Sequence, residues 1–198
     1  MQNPTRRSGI RSVDAALVMM LVILTAGVLF GTGVYNALTS EQIADFSNVS
    51  FWFSKSGTGS DISDVFIASF TVSSVCIGAV YALGFFAFGQ LPVFLVLGFR
   101  GMIAGAVLSQ IYVGHSGSDL VRNLMIVIPG SVLSLYTLAI CAKDSVRLSS
   151  RILTVTLSSE RCQGLLDTSR RSSVRFIVFE AAAAVSALTD CIFTACLN

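Results

Sequence analysis

The sequence predicts an all-α membrane protein, a polytopic helix bundle with about five transmembrane helices. Three observations carry that prediction. Of the 198 residues 54% are hydrophobic and only 12% are charged, against roughly 25% charged in an ordinary soluble domain, and mean hydropathy is +0.78. The apolar residues are gathered into runs of about 20, the length a helix needs to cross about 30 Å of hydrocarbon. The basic residues cluster in alternate connections between those runs, as they do when Lys and Arg are retained on the cytoplasmic side.

The first run, Ala15 to Tyr35, follows Arg6, Arg7 and Arg11. This resembles the charged flank of a secretory signal. The run exceeds the roughly 7–15 residues of a signal core, however, and Gly31 to Asn36 offers no convincing small-residue cleavage site, so it reads as an uncleaved first span. The segment after it, 36–64, sets Glu41, Asp45, Asp61 and Asp64 against Lys55 and contains the aromatic cluster Phe51, Trp52 and Phe53. Such a cluster is expected in the headgroup region as an anchor. A docking patch for an extracytoplasmic partner is the alternative.

The second and third runs, Val65 to Gly89 and Leu91 to Tyr112, are separated only by "GQLP". Gly89 and Pro92 interrupt the helix there, which predicts a tight antiparallel hairpin, with a re-entrant pair as the alternative. The fourth run, Leu124 to Ala142, has Pro129-Gly130 inside it, expected to kink the helix and free carbonyls for neighbouring groups. In the basic segment 143–175, Leu148, Ile152 and Val155 recur at helical spacing among Ser and Arg. That pattern predicts a helix lying on the membrane surface, drawn to anionic lipid or serving as a partner-binding elbow. The fifth run, Phe176 to Leu197, closes a chain with no evident repeat or dividing linker, hence a single integral-membrane domain over residues 1–198.

Threading five spans puts ten of the 13 basic residues on one side. The expected orientation is therefore N-terminus inside and C-terminus outside.

Arg100 lies in the middle of the third span, and Glu180 and Asp190 lie in the fifth. A charge at mid-bilayer is costly by at least about 2.5 kcal/mol, so such groups face the bundle interior and find partners. At 1.5 Å per residue Arg100 lies about 13 Å deep, Glu180 about 6 Å and Asp190 about 21 Å, so a flexible Arg reaches either carboxylate. The set fits a buried ion pair that fixes helix registry. It also fits an ion or proton pathway with one titrating carboxylate.

Small residues are spaced for close helix contact. Gly27 and Gly31 make one GxxxG, and Gly101 and Gly105 make another, with Gly98 one turn before.

No chemistry-bearing constellation accompanies these features. The five cysteines form no CxxC pair and the single His115 leaves no zinc set. Cysteines in apolar runs act as small hydrophobes. His115 sits in "VGHSGSD", a polar turn, and its nearness in sequence to Ser and Asp supplies no triad geometry. There is no Walker-type loop and no basic excess for nucleic acid, the net charge being +2. No cofactor, metal or catalytic residue is expected.

The order of a "LPVFLVLGFRGMIAGAVLSQI" helix, a short loop, a Pro-containing "VIPGSVLSLYTLAICA" span, a basic segment and a last span with an acidic residue in "AVSALTDCIFTACL" resembles the stage II sporulation protein M family. In that resemblance Arg100 and Gly101 look like the family's basic-or-polar residue plus Gly, Gly105 like the following glycine, Pro129 like the proline of the next span, and Asp190 like the late acidic residue. It implies a multi-pass protein of the bacterial cytoplasmic membrane, a non-catalytic scaffold that assembles with peptidoglycan-degrading enzymes and supports engulfment during sporulation. The implied partners are membrane lipid and extracytoplasmic peptidoglycan hydrolases, and a homo-oligomer is compatible with the packing glycines. Two other classes stay open from the residues alone. One is a permease-like transport subunit with Arg100, Glu180 and Asp190 along a polar route, served by an ATPase on the inner segment. The other is a lipid-binding membrane shaper acting through Arg147, Arg151, Arg170 and Arg171.

Overall fold

The computed structural model describes residues 5–37, 62–114, 117–158 and 165–197. Among them all regular structure is helical: α1 (Thr5–Ala37), α2 (Ile62–Gly84), α3 (Gln90–Gly114), α4 (Ser118–Ser158) and α5 (Leu165–Leu197). Each is long and apolar enough to cross a membrane. The aromatic cluster Phe51, Trp52 and Phe53, together with His115, Arg161 and Cys162, lies outside the described residues.

Two packing arrangements build the bundle. The closest is between α1 and α3, which run parallel, since Gly27 meets the Gly98 level and Gly31 meets Met102. A Cβ added at Gly27 would stand 2.5 Å from the Gly98 carbonyl oxygen, and one at Gly101 would stand 2.6 Å from that of Leu24. Gly31 and Gly105 are tighter still, abutting the carbonyls of Met102 and Val28. In lipid no hydrophobic force drives helix onto helix, so this backbone approach is what holds the pair, through dispersion over a long seam. Gly98 plays a different part: a Cβ there would make only an ordinary 3.7 Å contact with Ile23. Ser109 adds a 3.2 Å hydrogen bond to the Asn36 side chain near the far end of the seam.

The second arrangement is a trio of α2, α4 and α5, with α4 touching all four other helices. α2 and α3 are joined by the short turn Phe85–Gly89, which precedes the break expected at "GQLP": Gln90, Leu91 and Pro92 already form the first turn of α3, where proline is tolerated. The two helices touch little beyond the turn, because the glycine face of α3 is committed to α1. Both helices are full-length spans, not a re-entrant pair.

The basic segment differs from the expected surface helix. α4 continues unbroken for 41 residues through Lys143, Arg147 and Arg151, because no Gly or Pro interrupts the chain between Gly130 and Gly164. α5 takes up the remainder from Leu165. Leu148 is accordingly a core residue of the bundle, and Ser149 beside it is fully buried, donating to the carbonyls of Phe86 (2.7 Å) and Ala87 (3.2 Å) in the α2–α3 turn.

The apolar core forms two layers. The larger, toward the turn end, draws on all five helices through Met20, Leu24, Ile77, Val80, Leu97, Leu138 and Ala183. The smaller, toward the other end, joins only α3 and α4 through Ile103, Val107, Ile111, Ile126 and Val127.

Candidate functional site

Between the two apolar layers lies a polar one. Leu97 belongs to the first core layer and Ile103 to the second, and Arg100 falls between them on α3. The same interval on α4 supplies Gly130, Ser131 and Ser134, on α2 Ser69 and Ser73, and on α5 Ser186 and Asp190. Together they line a cavity with about 40 Å³ open to the centres of water-sized molecules. That exceeds the roughly 10–15 Å³ that admits one water and is far below the several hundred that a metabolite needs.

Asp190 is the most constrained member. Its carboxylate rests against the bare backbone of Gly130, where even a Cβ would collide with it. Ser69 donates a hydrogen bond to that carboxylate from α2, and the Arg100 guanidinium attracts it from α3. Ser73 and Ser134, both buried, are 3.0 Å apart and tie α2 to α4. Ser186, also buried, donates to the Gly130 carbonyl at 2.8 Å and ties α5 to α4. Four helices thus meet in one polar stratum. Interhelical hydrogen bonds in membranes average only about 0.6 kcal/mol each, so the larger energetic role falls to the attraction between the two charges.

Arg100 and Asp190 are brought together; Glu180 is not part of the same group. It lies ten residues earlier on α5, about 15 Å nearer the turn end, where Ser74 of α2 donates to its Oε2. Pro129 sits inside the continuous α4, and the neighbouring side chain that bonds this region, Ser186, reaches Gly130 and not the Met125 carbonyl that the proline frees. Residues that sequence reasoning did not assign to the site are Ser69, Ser73, Ser134 and Ser186. Their signal is the recurrence of serines on α2, α4 and α5 at the depth of Arg100 and Asp190.

The fold and this buried, charge-bearing stratum define a multi-pass helical membrane protein. Within that class the family model for stage II sporulation protein M matches residues 17–197, and the chain belongs to that family. The basic and acidic residues that carried the sequence resemblance, Arg100 and Asp190, both line the cavity and attract one another. Comparison with curated proteins and with solved structures gave no match.

Proposed function

We propose that the protein is a non-catalytic scaffold of the bacterial cytoplasmic membrane, N-terminus inside, which anchors extracytoplasmic peptidoglycan hydrolases and takes part in envelope remodelling of the engulfment kind. The observation that carries this reading is the polar stratum: its hydroxyls and carboxylate bond to other helices of the same bundle, and the remaining space suits water. Such an arrangement fixes registry among helices, which a docking platform needs. Family membership supports the same reading. The aromatic cluster Phe51, Trp52 and Phe53 is the proposed docking patch. Co-purification of wall hydrolases from native membranes tests it. Recovery with wild type and loss with Trp52→Ala supports the patch, and equal recovery removes it.

One observation favours a permease-like reading: a guanidinium and a carboxylate face the same serine-lined cavity near mid-membrane. Proteoliposome flux of protons or small ions decides it. Flux abolished by Asp190→Asn would support transport, and flux indistinguishable among wild type, Asp190→Asn and Glu180→Gln would exclude it.

A further inference from the structure

The end of the bundle that holds the α2–α3 turn carries a basic stripe whose depth in the membrane the backbone fixes. Non-helical backbone exposed to lipid is not tolerated within the hydrocarbon, because its amide groups would lack partners. The turn Phe85–Gly89 therefore lies at the level of the headgroups. Its exposed aromatic residues fit that position: Phe86 and Phe88 are 64% and 78% exposed, as expected of side chains that sit at the boundary of acyl chains and headgroups.

Ser149 is bonded to two carbonyls of this turn, and Gln90 donates to the Ser150 hydroxyl at 3.0 Å. These bonds bring the matching level of α4 into the interface. Lys143, Arg147 and Arg151 follow one another at i, i+4 and i+8, so they line one side of α4. Relative to Ser149 they stand about 9 Å toward the membrane centre, 3 Å toward it and 3 Å beyond it. The headgroup layer on each side is about 5–8 Å thick. A lysine stem reaches that layer from slightly deeper, so the stripe spans it. Arg147 and Arg151 are exposed. Asp144, the carboxylate next to the stripe, is engaged at 2.8 Å by Arg175 of α5, a cation outside the stripe.

We infer that Lys143, Arg147 and Arg151, held beside the Phe-rich α2–α3 turn, form a binding site for the phosphate headgroup of anionic phospholipid. The occupant follows from charge and depth: three cations at about 6 Å intervals along α4 in a layer that contains phosphates. A basic residue near an anionic membrane surface is worth about 1 kcal/mol, or roughly a fivefold gain in affinity. Three together select strongly for anionic over zwitterionic lipid.

The test is native mass spectrometry of the full-length protein released from mixed phosphatidylglycerol and phosphatidylcholine membranes. Wild type is expected to retain phosphatidylglycerol preferentially. Lys143→Gln/Arg147→Gln/Arg151→Gln should lose at least about tenfold of that preference, while the charge-preserving Lys143→Arg/Arg147→Lys/Arg151→Lys and the opposite-end Arg122→Gln keep it. Circular dichroism melting of each variant separates lipid loss from unfolding, and Arg147→Gln alone, an exposed change, should give a graded loss of about fivefold. An unchanged preference in the triple glutamine variant, or an equal loss in Arg122→Gln, overturns the site and leaves the stripe to an acidic protein surface.

Discussion

The Asp190 carboxylate occupies the space that a side chain on Gly130 would fill. This relationship places a charge of α5 directly on the backbone of α4, where Ser69 and Arg100 reach it from α2 and α3. The missing Cβ of Gly130 is thus a requirement of the polar stratum.

Gly130→Ala should accordingly be destabilising even though alanine is the better helix former. The methyl group must push Asp190 off its seat, at an overpacking cost of about 1–3 kcal/mol. Thermal unfolding in detergent checks this. Combining Gly130→Ala with Asp190→Ala should give less additional damage than the sum of the two, because the collision is gone.

Arg100 and Asp190 should behave as a coupled pair. Asp190→Leu or Arg100→Leu alone removes one side of the attraction and should be destabilising, whereas the double leucine variant should cost less than the sum of the two. A double-mutant cycle by chemical denaturation measures the coupling. Glu180→Gln should show none with Arg100, since Ser74 serves Glu180 elsewhere.

Depth along the helices does not separate these two carboxylates, for a physical reason. Arg100 at about 13 Å is nearly equidistant from Glu180 at about 6 Å and Asp190 at about 21 Å. What decides is azimuth: ten residues at 100° each set the two carboxylates about 80° apart around α5, and only one faces the Gly130 gap. Span number, the buried charges and the packing glycines Gly27, Gly31, Gly101 and Gly105 were legible because hydropathy and the GxxxG spacing are local signals. The union of the fourth span with Lys143, Arg147 and Arg151 in one helix was obscured by charge. Hydropathy ends a span at the first cation, but the backbone stays helical past it where no Gly or Pro intervenes.

The α1–α3 seam yields a contrast within one residue type. Gly105→Leu should separate the helices, since any side chain there meets the Val28 carbonyl, and Gly31→Leu should do the same at Met102. Gly33→Ala and Gly78→Ala should be silent or slightly stabilising, as nothing lies within 4 Å of a Cβ at either position. Limited proteolysis of α1 in membranes distinguishes the two groups.

Ser149→Ala removes the donor shared by the Phe86 and Ala87 carbonyls. A loss of about 1 kcal/mol is expected, with faster amide exchange at Phe85–Gly89 than in the middle of α2. Hydrogen exchange with mass spectrometry resolves that difference.

Under the proposed function, Arg100 and Asp190 hold together a bundle that docks other proteins. The most direct test is a crosslinked pull-down from native membranes at matched expression, comparing wild type, Arg100→Leu, and Arg100→Leu/Asp190→Leu. Peptidoglycan hydrolases are expected with wild type, with their loss in the single variant and their partial return in the double variant. Recovery of an ATPase or a solute-binding protein in place of hydrolases, or no return of hydrolases in a stably folded double variant, would contradict the proposed function.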